Sequence, residues 1–151
     1  DPSIIAFLAH EMKLNVDEID NLMNKKSGVL GISGVSSDFR DIESAAEQGN
    51  QRAQLALDVF AYNVKKYIGA YAAAMNGVDA IIFTAGLGEN DKVTRAKIID
   101  GVSFLGVSID SEKNDVRGQE RIMSRNDTKV TALLIPTNEE LMIAKETQEL
   151  L

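Results

Sequence analysis

Residues 79 to 90, DAIIFTAGLGEN, set the strongest constraint on what this chain can become. Four apolar residues, Ala80, Ile81, Ile82 and Phe83, run directly into Thr84 and then into Gly86 and Gly88. So short an apolar run, stopped by glycine, reads as a buried strand, and the glycines predict a tight turn that brings bare backbone amides close to a ligand. A phosphate or a nucleotide is the first expectation. DKVTRAKIID then reads as a helix closed by Gly101. A second apolar run, VTALLIP at 130 to 136, leads into the helical segment NEELMIAKETQELL. Strand, turn, helix, strand, helix is an α/β order, and it predicts two parallel strands covered by helices on both faces.

The remaining segments read mostly as helix. Asp1 and Pro2 suit a helix start ahead of IIAFLAHEM, since proline lacks only an N–H that a first turn leaves unpaired. Asn15 caps a second helix, VDEIDNLMNKK, whose acids lie in the first turn and whose Lys25 and Lys26 lie in the last. Three glycines and four serines in 27 to 37 predict a loop or a short irregular strand. A helix follows from Ser37 or Asp38 to Gly49. Phe60, Val64, Tyr67, Ile68, Tyr71 and Met75, spaced by three and four, predict one long helix over 51 to 75 with a single buried stripe, ended by Gly77. LGVSID, 105 to 110, reads as a short strand and SEKNDVRGQE as a polar connection.

Composition narrows the function. At 151 residues and 16.4 kDa the chain suffices for one compact domain. No run approaches the ~18 apolar residues of a membrane span. A net charge of -7 disfavours nucleic acid and anionic lipid as partners. The absence of cysteine excludes disulfides and thiolate metal sites and leans the expected location to the cytoplasm. No signal peptide is read, and a start at Asp1 in place of methionine suggests that an upstream part is missing.

Three short motifs could carry chemistry. Gly86-Leu87-Gly88-Glu89-Asn90 follows the dinucleotide fingerprint until Asp91 stands where a third glycine belongs. It is not a P-loop either, for no Gly-Lys-Ser/Thr follows. What survives is a strand-to-helix turn that admits a ligand to the backbone near a positive helix end, or a tight turn with no ligand. At the exit of the second strand, Thr137 and Glu140 have capping-box spacing. That leaves Glu139 either to hold a magnesium ion or its water shell, or to sit solvated in a first turn. Asp38, Phe39 and Arg40 offer an acceptor, a ring and a guanidinium to a nucleoside, or else a helix cap, a core ring and a surface charge. His10, the one histidine, has no partner in motif spacing and is read as a surface or packing residue, and the tyrosines form no cofactor box.

Taken together, DP-IIAFL, NLMNKKSGVLGISGVSSDFRDIE, LALDVFAYNVKKYIGAY, GVDAIIFTAGLGEN and IPTNEELMIAKET resemble the C-terminal part of acetate kinases over essentially the whole chain. The resemblance implies an actin-like ATPase (ribonuclease H-like) domain: α/β, a mixed sheet with parallel apolar strands flanked by helices. Residues 1 to 151 would be the C-terminal nucleotide-binding domain of a two-domain enzyme, with the N-terminal domain absent. It implies reversible phosphoryl transfer between ATP and acetate, giving acetyl phosphate and ADP with Mg2+, in a cytoplasmic homodimer. Carried over by position, Asp38, Phe39 and Arg40 match one nucleotide-contacting segment, Gly86, Leu87, Gly88, Glu89 and Asn90 match a second at the adenosine end, and Glu139 matches a magnesium-associated glutamate. Leu87 stands where the family often has isoleucine. The family's catalytic asparagine, arginines, histidine and aspartate match no position here, so the chain alone is expected to be inactive.

A propionate or butyrate kinase is the nearest alternative, since the acyl pocket would lie in the missing part. A non-catalytic nucleotide-binding or dimerisation module is the second. A dinucleotide-dependent oxidoreductase is disfavoured by the missing third glycine.

Overall fold

The structure, a computed structural model, describes residues 1 to 150 and divides into two compact units, Asp1–Phe60 and the chain from Ala61 onward. In the first unit, helix α1 (Ser3–Met12) opens with the Asp1 carboxylate accepting the Ser3 N–H at 2.8 Å. Helix α2 (Val16–Asn21) begins at a full capping box: the Asn15 side chain accepts the Glu18 N–H at 3.0 Å, and the Glu18 carboxylate accepts the Asn15 N–H at 2.8 Å. Its path continues through a wider π turn over Leu22–Lys26, ahead of Ser27.

The glycine-rich stretch departs from expectation. Gly28–Ser33 is a helix, α3, rather than a loop or strand. Its Val29 and Ile32 pack on Ile42, Ala53 and Ala56, so burial overrides poor helix propensity. Arg52 adds support: its Nε–H donates to the Ile32 carbonyl at 2.9 Å and Nη2 to that of Gly31 at 3.1 Å, pairing carbonyls that a helix end leaves open. Gly34 ends α3 with φ of 68°, and a Cβ there would stand 3.2 Å from the Arg52 guanidinium.

Helix α4 (Phe39–Glu47) is capped by Asp38, and Gly49 turns the chain with φ of 89°. Helix α5 (Gln51–Ala74) follows, as long as its periodicity predicts. Its buried side is the expected one only in part, for Val64 and Ile68 pack on the core of the second unit and Phe60 on Phe39. Tyr67, Tyr71 and Met75 are exposed, and Phe60, Val64 and Ile68 are half-buried. Ala53, Ala56, Ala61 and Ala72 are the positions sealed from solvent, because small side chains let neighbouring elements approach a helix closely.

In the second unit strand β1 (Ala80–Phe83) lies parallel to β3 (Thr131–Leu134), with Ala80 opposite Thr131 and Phe83 opposite Leu134. A short strand β2 (Arg121–Ile122) adds antiparallel on the other side of β3, giving the order β1-β3-β2. The sheet is therefore mixed, with its two apolar strands parallel. Ile81, Phe83, Ala132 and Leu134 face a core shared with Ile98 and Ile99, whereas Ile82 is 54% exposed. β1 is thus covered on one face only, against the expectation of two. The segment 105 to 110 makes no strand: Ser103–Leu105 is a 3-10 turn, Gly106 is left-handed, and Ile109 forms a single antiparallel bridge to Ser124. Within the polar connection, Ser111–Asn114 forms helix α8, capped by Asp110. Helices α6 (Ala85–Asn90), α7 (Lys92–Asp100) and α9 (Glu139–Glu149) complete the unit.

Candidate functional site

β1 does not end in a glycine turn. Thr84 is still extended, Ala85 takes φ of 59°, and the next residues are already α6. The sharp change of direction falls on an alanine, at a cost of about 1 kcal/mol in backbone strain. Gly86 and Gly88 sit inside the short helix with ordinary φ. A Cβ at Gly86 would meet nothing within 4 Å, and one at Gly88 would rest at 3.4 Å from the Phe83 backbone, an ordinary contact. The fold itself therefore accommodates a Cβ at both positions.

The rest of the segment is tied from several sides. The Asn90 amide donates to the Gly86 carbonyl at 2.8 Å. The Gly118 N–H donates to the Glu89 carbonyl at 3.2 Å. Leu87 is half-buried. Arg95 of α7 donates from Nη1 to the Gly88 carbonyl at 3.0 Å. That arginine is fully buried, its Nε–H bonded to Asn114 Oδ1 at 2.8 Å and its Nη2 to the carbonyls of Asn114 (2.8 Å) and Val116 (2.9 Å). Burial pulls the guanidinium down from its usual value, and the surrounding carbonyls keep it satisfied. Sequence reading missed Arg95, although it shares a helical face with Ile98, Ile99 and Val102 at spacings of three, four and seven.

Glu89 reaches furthest. Its Oε1 accepts the Ala85 N–H at 2.8 Å, the Thr137 N–H at 2.9 Å and the Thr137 hydroxyl at 3.1 Å. The Thr137 N–H above all holds its carboxyl below the usual range. This pairing displaces the expected capping box between Thr137 and Glu140. The cap of α9 is Asn138, whose side chain accepts the Leu141 N–H at 3.1 Å. Glu139 is the first residue of α9 and exposed. Among the described residues no three His, Asp or Glu side chains gather into a metal-binding group. One open carboxylate still suits magnesium, which is commonly held by one or two carboxylates together with substrate phosphates.

Asp38, Phe39 and Arg40 lie in the first unit. Asp38 Oδ1 accepts the Arg40 N–H at 2.9 Å, and the Arg40 guanidinium turns back onto the same carboxylate, Nη2 to Oδ2 at 2.5 Å. The Arg40 side-chain hydrogen bond, first of all, lowers the Asp38 carboxyl to about 2. Phe39 meets Phe60 edge to face, with centroids 4.8 Å apart. Of the residues singled out from sequence, Gly86 to Asn90 and the turn before Glu139 are thus joined directly, through Glu89.

The acetokinase family profile matches residues 1–145. An acetate kinase of Clostridium botulinum is 59% identical over 99% of this chain and 38% of its own length. Among solved structures, the acetate kinase of Porphyromonas gingivalis superposes with a TM-score of 0.92 at 49% identity, covering 99% of this chain and 38% of that one. A propionate kinase of Francisella tularensis superposes with a TM-score of 0.87 at 39% identity, covering 97% and 37%. The chain therefore spans less than two-fifths of the length of the curated relatives it matches.

Proposed function

The chain belongs to the acetokinase family, and on that premise we propose that it supplies the nucleotide-binding part of an acetate kinase, which transfers a phosphoryl group reversibly between ATP and acetate. The observation that carries this is the unexplained pair of glycines. Each glycine in a helix is less favourable than alanine by about 1 kcal/mol. Neither Gly86 nor Gly88 has the positive φ or the crowding that would require one. Open space beside the Gly86 α-carbon is what a ligand lying against the backbone needs.

On this reading Gly86, Leu87, Gly88 and Asn90 form the segment that meets the nucleoside side of ATP or ADP. Asp38, Phe39 and Arg40 are nucleotide contacts carried by the first unit. Glu139 would hold magnesium, which when bound neutralises charge on the phosphates. The acceptor is acetate or, on the alternative suggested by likeness to a propionate kinase, a slightly longer carboxylate. The family's catalytic cations match no position here, so the 151-residue chain by itself is expected to form no acetyl phosphate. Dimerisation through this part of the enzyme and a cytoplasmic location belong to the same proposal.

Calorimetric titration with magnesium ADP tests the reading. The 151-residue chain should bind saturably, and Gly86→Val, whose Cβ would meet nothing within 4 Å in the fold, should lose at least about tenfold in affinity. Equal binding by both proteins would remove the nucleotide from this segment.

A further inference from the structure

Two parallel strands of one sheet each deliver a functional segment at their ends: β1 leads to Gly86 and Gly88, β3 to Glu139. The strands hold register through Phe83 and Leu134, and the Ile135 N–H donates to the Phe83 carbonyl at 3.0 Å. Beyond that point the ladder stops and the two strands lead separately into α6 and α9. One side chain spans the gap. A single oxygen of Glu89 takes the N–H of Ala85, the residue in the left-handed conformation, and both donors of Thr137.

We propose that Glu89 is a positioning residue that locks the exit of β1 to the exit of β3, setting the nucleotide-facing glycines and the Glu139 turn relative to each other without touching the nucleotide itself. The assignment rests on the nucleotide reading of Gly86 to Asn90 and changes the part Glu89 plays in it. A carboxylate would repel phosphate oxygens if it faced them, whereas turned back onto three protein donors it keeps its charge away from the ligand. It also holds the strained Ala85 in place, because the residue that bends the chain is the one whose N–H it accepts. Arg95 completes the arrangement from the other side through the Gly88 carbonyl, so α6 is held at both ends.

Amide hydrogen exchange on the 151-residue chain without nucleotide tests the lock apart from any binding. Glu89→Ala should speed exchange at Ala85 and Thr137 together, by about tenfold or more. Glu89→Gln, which retains an acceptor oxygen in the same place, should restore most of the protection. Thr137→Val, losing one donor of three, should fall between them. Magnesium ADP titration then reads the consequence: Glu89→Ala weakened by about tenfold, Glu89→Gln within about threefold of the parent.

Unchanged exchange at either amide in Glu89→Ala would overturn the lock. A glutamine variant as weak in binding as the alanine one, with its protection intact, would make Glu89 a direct ligand contact and overturn the proposal too. Should Glu89→Ala fail to fold, the glutamine and Thr137→Val variants decide by the same two readouts. If the parent binds no nucleotide, the functional reading fails while the exchange result still stands for or against the lock.

Discussion

The two segments proposed to meet the nucleotide are built in opposite ways. Ala85 to Asn90 is held from outside itself: by Arg95 from α7, by Gly118 from a distant loop, and by Thr137 from the end of β3. Asp38 to Arg40 is held largely by itself, with an aspartate and an arginine two residues apart pairing in solvent, and a ring leaning on Phe60. The first is a preorganised surface whose backbone is fixed before a ligand arrives. The second keeps a guanidinium whose side chain is 87% exposed, and solvent screening makes its ion pair a weak restraint. Rigidity where backbone must be approached closely, and latitude where a long side chain can adjust, is a division that lowers the ordering cost only where ordering is hardest.

Breaking the external supports should give the largest effects. Arg95→Met would leave the carbonyls of Gly88, Asn114 and Val116 without their buried donor, and should lower unfolding free energy by about 3 kcal/mol or more in denaturant titration. Losing this support should also weaken nucleotide binding, since Gly88 loses its anchor. Gly86→Val separates the two readouts, with stability nearly unchanged and affinity reduced.

The self-held segment should respond more gently. Asp38→Ala removes the cap of α4 and should lower the thermal midpoint modestly, without disturbing amide protection at Ala85. The pH dependence has a definite sign. The Asp38 carboxyl stands at about 2 against an ordinary 3.8, so its stabilisation is whole above about pH 4 and is lost as pH falls through about 2. Asp38→Asn should flatten that part of an acid unfolding profile. The smallest change belongs to Arg40→Ala, which should leave thermal stability within error while lowering nucleotide affinity by a few-fold.

How much was legible in the sequence follows the range of the interactions. The two short apolar runs, the Asn15 and Asp38 caps and the length of α5 all depend on neighbours within a few positions, and they read correctly, as did the parallel pairing of the two strands, which followed from the α/β order of the elements. The Gly28–Ser33 helix did not, because its glycines and serines argue for a loop and only Val29, Ile32 and Arg52 override them. The apolar stripe of α5 read correctly in part: Phe60, Val64 and Ile68 pack inward, but Tyr67, Tyr71 and Met75 are exposed, and close approach selected the alanines. At the site, the glycines were visible as a motif, while the real bend at Ala85 was hidden in an unremarkable residue. Glu89 was legible only as a member of the motif, and its bond to Thr137 was not, because that partner lies 48 residues away. No local pattern announces a bond of that separation.

The terminal helix gives Glu139 a different standing from the glycines. All eleven residues of α9 are exposed among the described residues, and helices shorter than about 12 to 15 residues are marginal when nothing packs on them. Where the Glu139 carboxylate stands is then a matter of helix–coil statistics, resting on one asparagine cap and on the Thr137 turn that Glu89 holds. Warming would blur that carboxylate long before it loosened the glycines. On the proposed reading, the metal-facing side of this protein carries a thermometer that its nucleotide-facing side lacks.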